Sequence, residues 1–104
     1  MIADELAANA TLDASLRDVA RLRAAALAAD VQTVTDLEKR MGPLLSPNNA
    51  WRHAAQEILA AAAIKANDLD KARRSLDAII IDRDAPAAVK SRAELLIGLT
   101  RGAK

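Results

Sequence analysis

The sequence predicts an all-α fold of about five main helices plus a short N-terminal remnant, paired as antiparallel hairpins. Three observations carry that reading. First, just over half of the 104 residues are apolar, and alanine and leucine dominate them. Alanine loses no rotamer entropy in a helix and lets helix axes approach closely. Second, strand signals are nearly absent, and the one β-branched run, Ile79-Ile80-Ile81, lies inside a helical pattern. Third, segments of the chain match one another at helical-hairpin spacing.

Residues 2–9 are helical in pattern but too short to stand alone, since isolated helices under about 12 residues are marginal. They read as the tail of a helix. Asp13 can cap the next one, with Leu16, Val19, Ala20, Leu27 and Ala28 on one face. After a polar break, Val34, Leu37 and Met41 recur at helical spacing, and Gly42-Pro43 ends or kinks that helix. The stretch "SPNN" is the clearest loop. Asn48 or Asn49 then caps a long helix from about Ala50 to Ala66, burying Trp51, Ala55, Ile58, Leu59, Ala62, Ala63 and Ala66. Asn67 suits the left-handed residue that closes it, and Asp68 caps the following helix. That helix turns Leu69, Ala72, Leu76, Ile79 and Ile80 inward. Pro86 fits the first turn of a last helix ending near residue 101.

The internal repeat organises these elements. At an offset of 73 residues and without a gap, residues 6–22 lie over 79–95. Leu6 meets Ile79, Leu16 meets Val89, Arg17 meets Lys90, and Ala14, Ala20 and Leu22 meet identical residues. Thr33 and Leu37 match Ala72 and Leu76 at an offset of 39, leaving 34 for the second step. A two-helix unit of this length is the mark of tetratricopeptide-like arrays, whose ideal period is about 34 residues. No hairpin buries its apolar stripe alone, so neighbours stack, here into a right-handed solenoid. The chain divides into a remnant at 2–10, a first unit at 13–46, a second at 49–84 and a terminal helix at 86–101. Ala60, Ala72 and Leu76 stand where such a unit needs small, small and bulky residues.

Composition excludes several functions. Fifteen basic and fourteen acidic residues nearly cancel, and one tryptophan is the sole aromatic residue. A nucleic-acid surface would need a basic stripe and stacking platforms. Without cysteine there is no disulfide, zinc–thiolate cluster or thiol nucleophile. No apolar run approaches the roughly 20 residues of a membrane span, and the N-terminus lacks the basic start and apolar centre of a signal peptide.

Four stretches carry a family resemblance: "LRDVARLR" (Leu16 to Arg23), "WRHAA" after Asn49, "KANDLDKAR" (Lys65 to Arg73) and "SRAELL" (Ser91 to Leu96). Over roughly residues 5–100 the chain resembles the C-terminal part of the tetratricopeptide-like domain of the ancillary SecYEG translocon subunit (YfgM-like) family, in its alphaproteobacterial form. The resemblance implies a scaffold anchored by one N-terminal helix, with its repeats on the periplasmic face of the bacterial inner membrane. It also implies partners among the translocon, chaperones and emerging envelope proteins. The family's membrane helix and first repeats are not in this sequence, so the expectation is a soluble fragment without membrane contact of its own. Ala50 replaces the Pro that usually precedes Trp-Arg.

No catalytic set converges. His53 is the only histidine, and a metal site needs three or four ligands. Asp68 with Asp70, and Asp82 with Asp84, lie at predicted helix ends, where capping and the helix dipole explain them. The three glycines are scattered and form no phosphate loop. The expectation is a non-catalytic protein–protein interaction module without metal or cofactor. In the repeat register its concave face presents Asp18 and Leu22, then Glu57, Ala61, Ile64 and Lys65. Trp51 is expected to seal the junction of two units near Leu44 and Leu45, with Arg52 and His53 facing solvent or a loop carbonyl. Leu95, Leu96, Ile97 and Leu99 give the last helix more apolar circumference than one neighbour covers. A homodimer acting as an envelope-assembly or cell-division adaptor is therefore the alternative.

Overall fold

A computed structural model describes residues 14–102. The expected remnant at 2–10 and the Asp13 cap lie outside the described residues. Five α-helices follow in order: α1 (Ala14–Ala28), α2 (Val34–Arg40), α3 (Arg52–Lys65), α4 (Leu69–Ile80) and α5 (Ala87–Gly102), with a 3-10 turn at Gly42–Leu45 between α2 and α3. No described residue is in a strand.

Local chemistry sets each boundary. The Thr33 hydroxyl accepts the Asp36 N–H at 3.1 Å and caps α2. That helix stops at Arg40, and Pro43 sits at the start of the 3-10 turn, where its missing N–H costs nothing. Asn67 has φ 59°, the one positive value among the described non-glycine residues. Its N–H reaches the Ile64 carbonyl at 3.0 Å, and the Asp68 N–H reaches that of Ala63 at 2.8 Å. This pair of bonds is the Schellman closure of α3. Asp68 then accepts the Lys71 N–H at 3.2 Å and caps α4.

Helix α3 is the central element. It packs most extensively on α4 and also touches α1, α2, the 3-10 turn and α5, while α5 packs on α4. Leu59, Ala62 and Ala63 join one core cluster with Leu37, Met41 and Leu44. Ala60 joins a second, with Leu76, Ile79, Ala93 and Ile97. Ala60, Ala72 and Leu76 are all completely buried. Each large side chain so buried contributes roughly 1.5–3 kcal/mol relative to exposure. The molecule measures 46 × 30 × 17 Å, its thinnest dimension close to two helix layers set about 8–10 Å apart.

Two expectations need correction. The buried stripe of α1 is Ala20, Ala24, Ala25 and Ala28, whereas Leu16 and Leu27 are exposed. Small side chains let α1 approach its neighbours closely, so alanine rather than leucine marks the inner face. Helix α3 begins at Arg52 and ends at Lys65, not at Ala50 and Ala66, and Trp51 is its N-cap residue with φ −98° and ψ 7°. The Asn49 side chain takes the Trp51 N–H at 2.8 Å, forming a turn that delays the helix.

Candidate functional site

The loop into α3 and the loop out of α4 meet at one carboxylate. Arg52 lies in the first turn of α3, and its Nε donates to Asp82 Oδ2 at 2.7 Å. Its Nη2 reaches Asp82 Oδ1 at 3.3 Å and Asp84 Oδ2 at 3.4 Å. The third fork, Nη1, donates to the Asn49 carbonyl at 2.9 Å. One residue on, His53 Nε2 stands 2.8 Å from Asp82 Oδ2. The Asp84 N–H donates to Asp82 Oδ1 at 2.9 Å.

Arg52 therefore reaches the loop carbonyl expected of it but spends its main contact on Asp82, as His53 does. Their side chains are only 16% and 12% exposed, so neither faces solvent. Asp82 follows the C-terminal end of α4, where the helix dipole disfavours a carboxylate. Its ion pair, rather than complementarity to the dipole, explains its place. The Arg52 guanidinium, then the Asp84 N–H and His53, hold the Asp82 carboxyl well below the usual carboxylate range, outweighing the opposing effect of burial.

Two neighbouring grooves lie along this side of the molecule, and the cluster lines the larger. One, of about 440 Å³, is lined by Leu45, Pro47, Arg52, His53, Gln56, Ala78, Ile81, Asp82 and Asp84. The other, of about 260 Å³, is lined by Val34, Glu38, Leu45, Gln56, Leu59, Lys71, Arg74 and Ser75. Leu45 and Gln56 belong to both. His53 and Asp82 are hydrogen-bonded, but no lining side chain of the larger groove carries a hydroxyl or thiol for such a pair to activate. Among the described residues no group of three or more His, Asp or Glu is placed to hold a metal ion.

The six residues expected on the concave face line neither groove. Asp18 accepts the Asn49 amide at 2.9 Å, tying α1 to the loop before α3. Glu57 is gripped by Arg92 through Nε and Nη2, both at 3.1 Å, which joins α3 to α5. Lys65 pairs with Asp30 beyond the end of α1. Leu22 and Ile64 pack, partly buried, against the first core cluster. Of the six, Ala61 is exposed and makes no such tie. Trp51 is half-buried against the cluster that holds Leu44, with Leu45 in the same packing group.

Sequence reasoning missed the wall of the grooves on α4 and just past its end: Lys71, Arg74, Ser75 and Ala78, then Ile81 and Asp82. The signal was there, because these positions follow the helical spacing beside the Ala72–Leu76–Ile79 stripe. It was obscured because they mix charge, hydroxyl and hydrocarbon, and so resemble an ordinary solvated face. No described helix is long and apolar enough to cross a membrane. Comparison with known proteins finds no family model, no curated protein and no solved structure that matches the chain.

Proposed function

We propose that this chain is a non-catalytic protein-interaction module made of stacked tetratricopeptide-like hairpins. The observation that carries the reading is the double use of α3, which closes a hairpin with α4 and also packs sideways on α1 and α5. Such lateral contact is how hairpin repeats extend a stack. The offset of 73 residues adds to it: Ala20 and Ala93 are both buried, as are Ala24 and Ile97.

The four stretches resembling the ancillary translocon subunit family support the more specific form of the proposal. In that form the module belongs to a membrane-anchored scaffold on the periplasmic face of the inner membrane, with translocon subunits, chaperones and emerging envelope proteins as partners. Affinity capture of the full-length protein from its native membrane after chemical crosslinking tests it. Translocon subunits or envelope chaperones are expected among the adducts. Recovery of cytoplasmic proteins alone overturns it.

Leu95 and Leu99, one turn apart on α5 and 67% and 64% exposed, favour a second reading as an adaptor acting through self-association. Sedimentation equilibrium over the micromolar range decides it, a strict monomer counting against the homodimer.

A further inference from the structure

The two grooves share Leu45 and Gln56 and run along one stripe of α4, so they form a single trough with unlike ends. At one end stands Arg74, exposed and without an ionic or hydrogen-bonded partner among the described residues. Beside it, Lys71 is already engaged by Glu38 at 3.3 Å. At the other end stands Asp84, whose side chain is 84% exposed and touches Arg52 at 3.4 Å only through Oδ2. Between them lie the hydrocarbon surfaces of Leu45, Ala78 and Ile81, the last 79% exposed.

We infer that this trough binds an extended peptide segment bearing an acidic and a basic residue about four positions apart, with an apolar residue between them. The inference rests on the interaction-module reading and names the surface and partner chemistry for it. Charge complementarity selects the occupant: a carboxylate meets Arg74, an ammonium or guanidinium meets Asp84, and the central side chain covers Ile81. Spacing follows from geometry. Arg74 lies six residues before the end of α4 at Ile80, roughly 9 Å along the helix at about 1.5 Å per residue, and Asp84 stands in the turn just beyond that end. An extended chain covers that length and the step beyond it in about four residues at about 3.3 Å each. The trough lies on a different side of α3 from Glu57, Ala61 and Lys65, so it is separate from the concave face.

Fluorescence anisotropy of the chain with labelled heptapeptides tests this. The probe is Gly-Asp-Ser-Leu-Ser-Lys-Gly, compared with versions carrying Asp at both charged positions, Lys at both, or the two charges side by side. The mixed peptide with spaced charges is expected to bind about three- to tenfold more tightly than the other three, as two solvent-screened pairs allow. Arg74→Glu is expected to move the preference to the double-Lys peptide, and Asp84→Lys to the double-Asp peptide. Both residues are exposed, so these variants fold, and Ala61→Arg serves as the control on the other side of α3. Equal affinity for all four peptides, or preferences unmoved by the two reversals, overturns the inference. Loss of binding in Ala61→Arg but not in the reversals also overturns it, while leaving the interaction-module reading standing. A concentration-dependent mass that Arg74→Glu lowers would assign the trough to a second copy of the chain and overturn the peptide.

Discussion

Arg52 and Asp82, 30 residues apart in the chain, are joined by a 2.7 Å bond that holds the open end of the α3–α4 hairpin. The closed end needs no such tie, because Asn67 and Asp68 turn the chain there through local bonds. Charge therefore does at one end of the hairpin what the backbone does at the other.

Asp82→Asn is expected to lower the thermal midpoint by several degrees, since it leaves the Arg52 fork and His53 facing a neutral amide. The pH dependence has a definite sign. The folded carboxyl is depressed, mainly by Arg52, so the unfolded chain binds its proton first. The stabilisation is complete above the unfolded Asp value of about 3.9 and is lost as pH falls through the lower folded value. Thermal melts from pH 7 to pH 2 are expected to show wild type and Asp82→Asn converging in acid. A constant gap would place the stabilisation elsewhere.

At Asn67 the positive φ separates two substitutions. Asn67→Ala is expected to cost about 1 kcal/mol, because a β-carbon is disfavoured in the left-handed region. Asn67→Gly is expected to stay within a few tenths of a kcal/mol, glycine being at ease there. Urea denaturation of both variants, with unchanged m-values, checks the pair.

Trp51 packs against the cluster that contains Leu44 but is only half-buried. Trp51→Ala is therefore expected to cost about 2–3 kcal/mol, below the roughly 3–5 kcal/mol of a wholly buried aromatic. Its emission in the folded state is expected to be blue-shifted and partly protected from acrylamide. Quenching as complete as that of the unfolded chain would show that the ring does not cover the junction.

Ala60 is completely buried in the second core cluster, together with Leu76 and Ile97. Ala60→Leu is expected to destabilise by about 1–3 kcal/mol through overpacking. Leu76→Ala, which opens a cavity in the same cluster, is expected to cost about 2–5 kcal/mol. The two together are expected to cost less than their sum, since each offsets the other's volume change. Strict additivity in urea melts would separate the two sites.

What the sequence disclosed follows from the range of the forces involved. Asn67-Asp68, Pro43 and the alternation of small and bulky residues at Ala60, Ala72 and Leu76 act within a turn or two, and each was legible. The face of α1 was misread because leucine was given more weight than alanine, although close helix approach favours the smaller side chain. The Arg52–Asp82 bond and the placement of His53 were hidden, because partners 30 and 29 positions apart leave no periodic trace. The trough along α4 was hidden for another reason: it exists only where the 3-10 turn at Gly42–Leu45, packed on α3, brings Leu45 to the same grooves as α4.

Whether this chain works by holding other proteins is decided by photo-crosslinking in cells that express the full-length protein. A photoreactive amino acid replaces Ile81 in the trough or Ala61 on the other side of α3, both exposed positions. Discrete protein adducts are expected at position 81, and Arg74→Glu is expected to diminish them. Adducts at neither position, with the protein folded and correctly located, would contradict an interaction module.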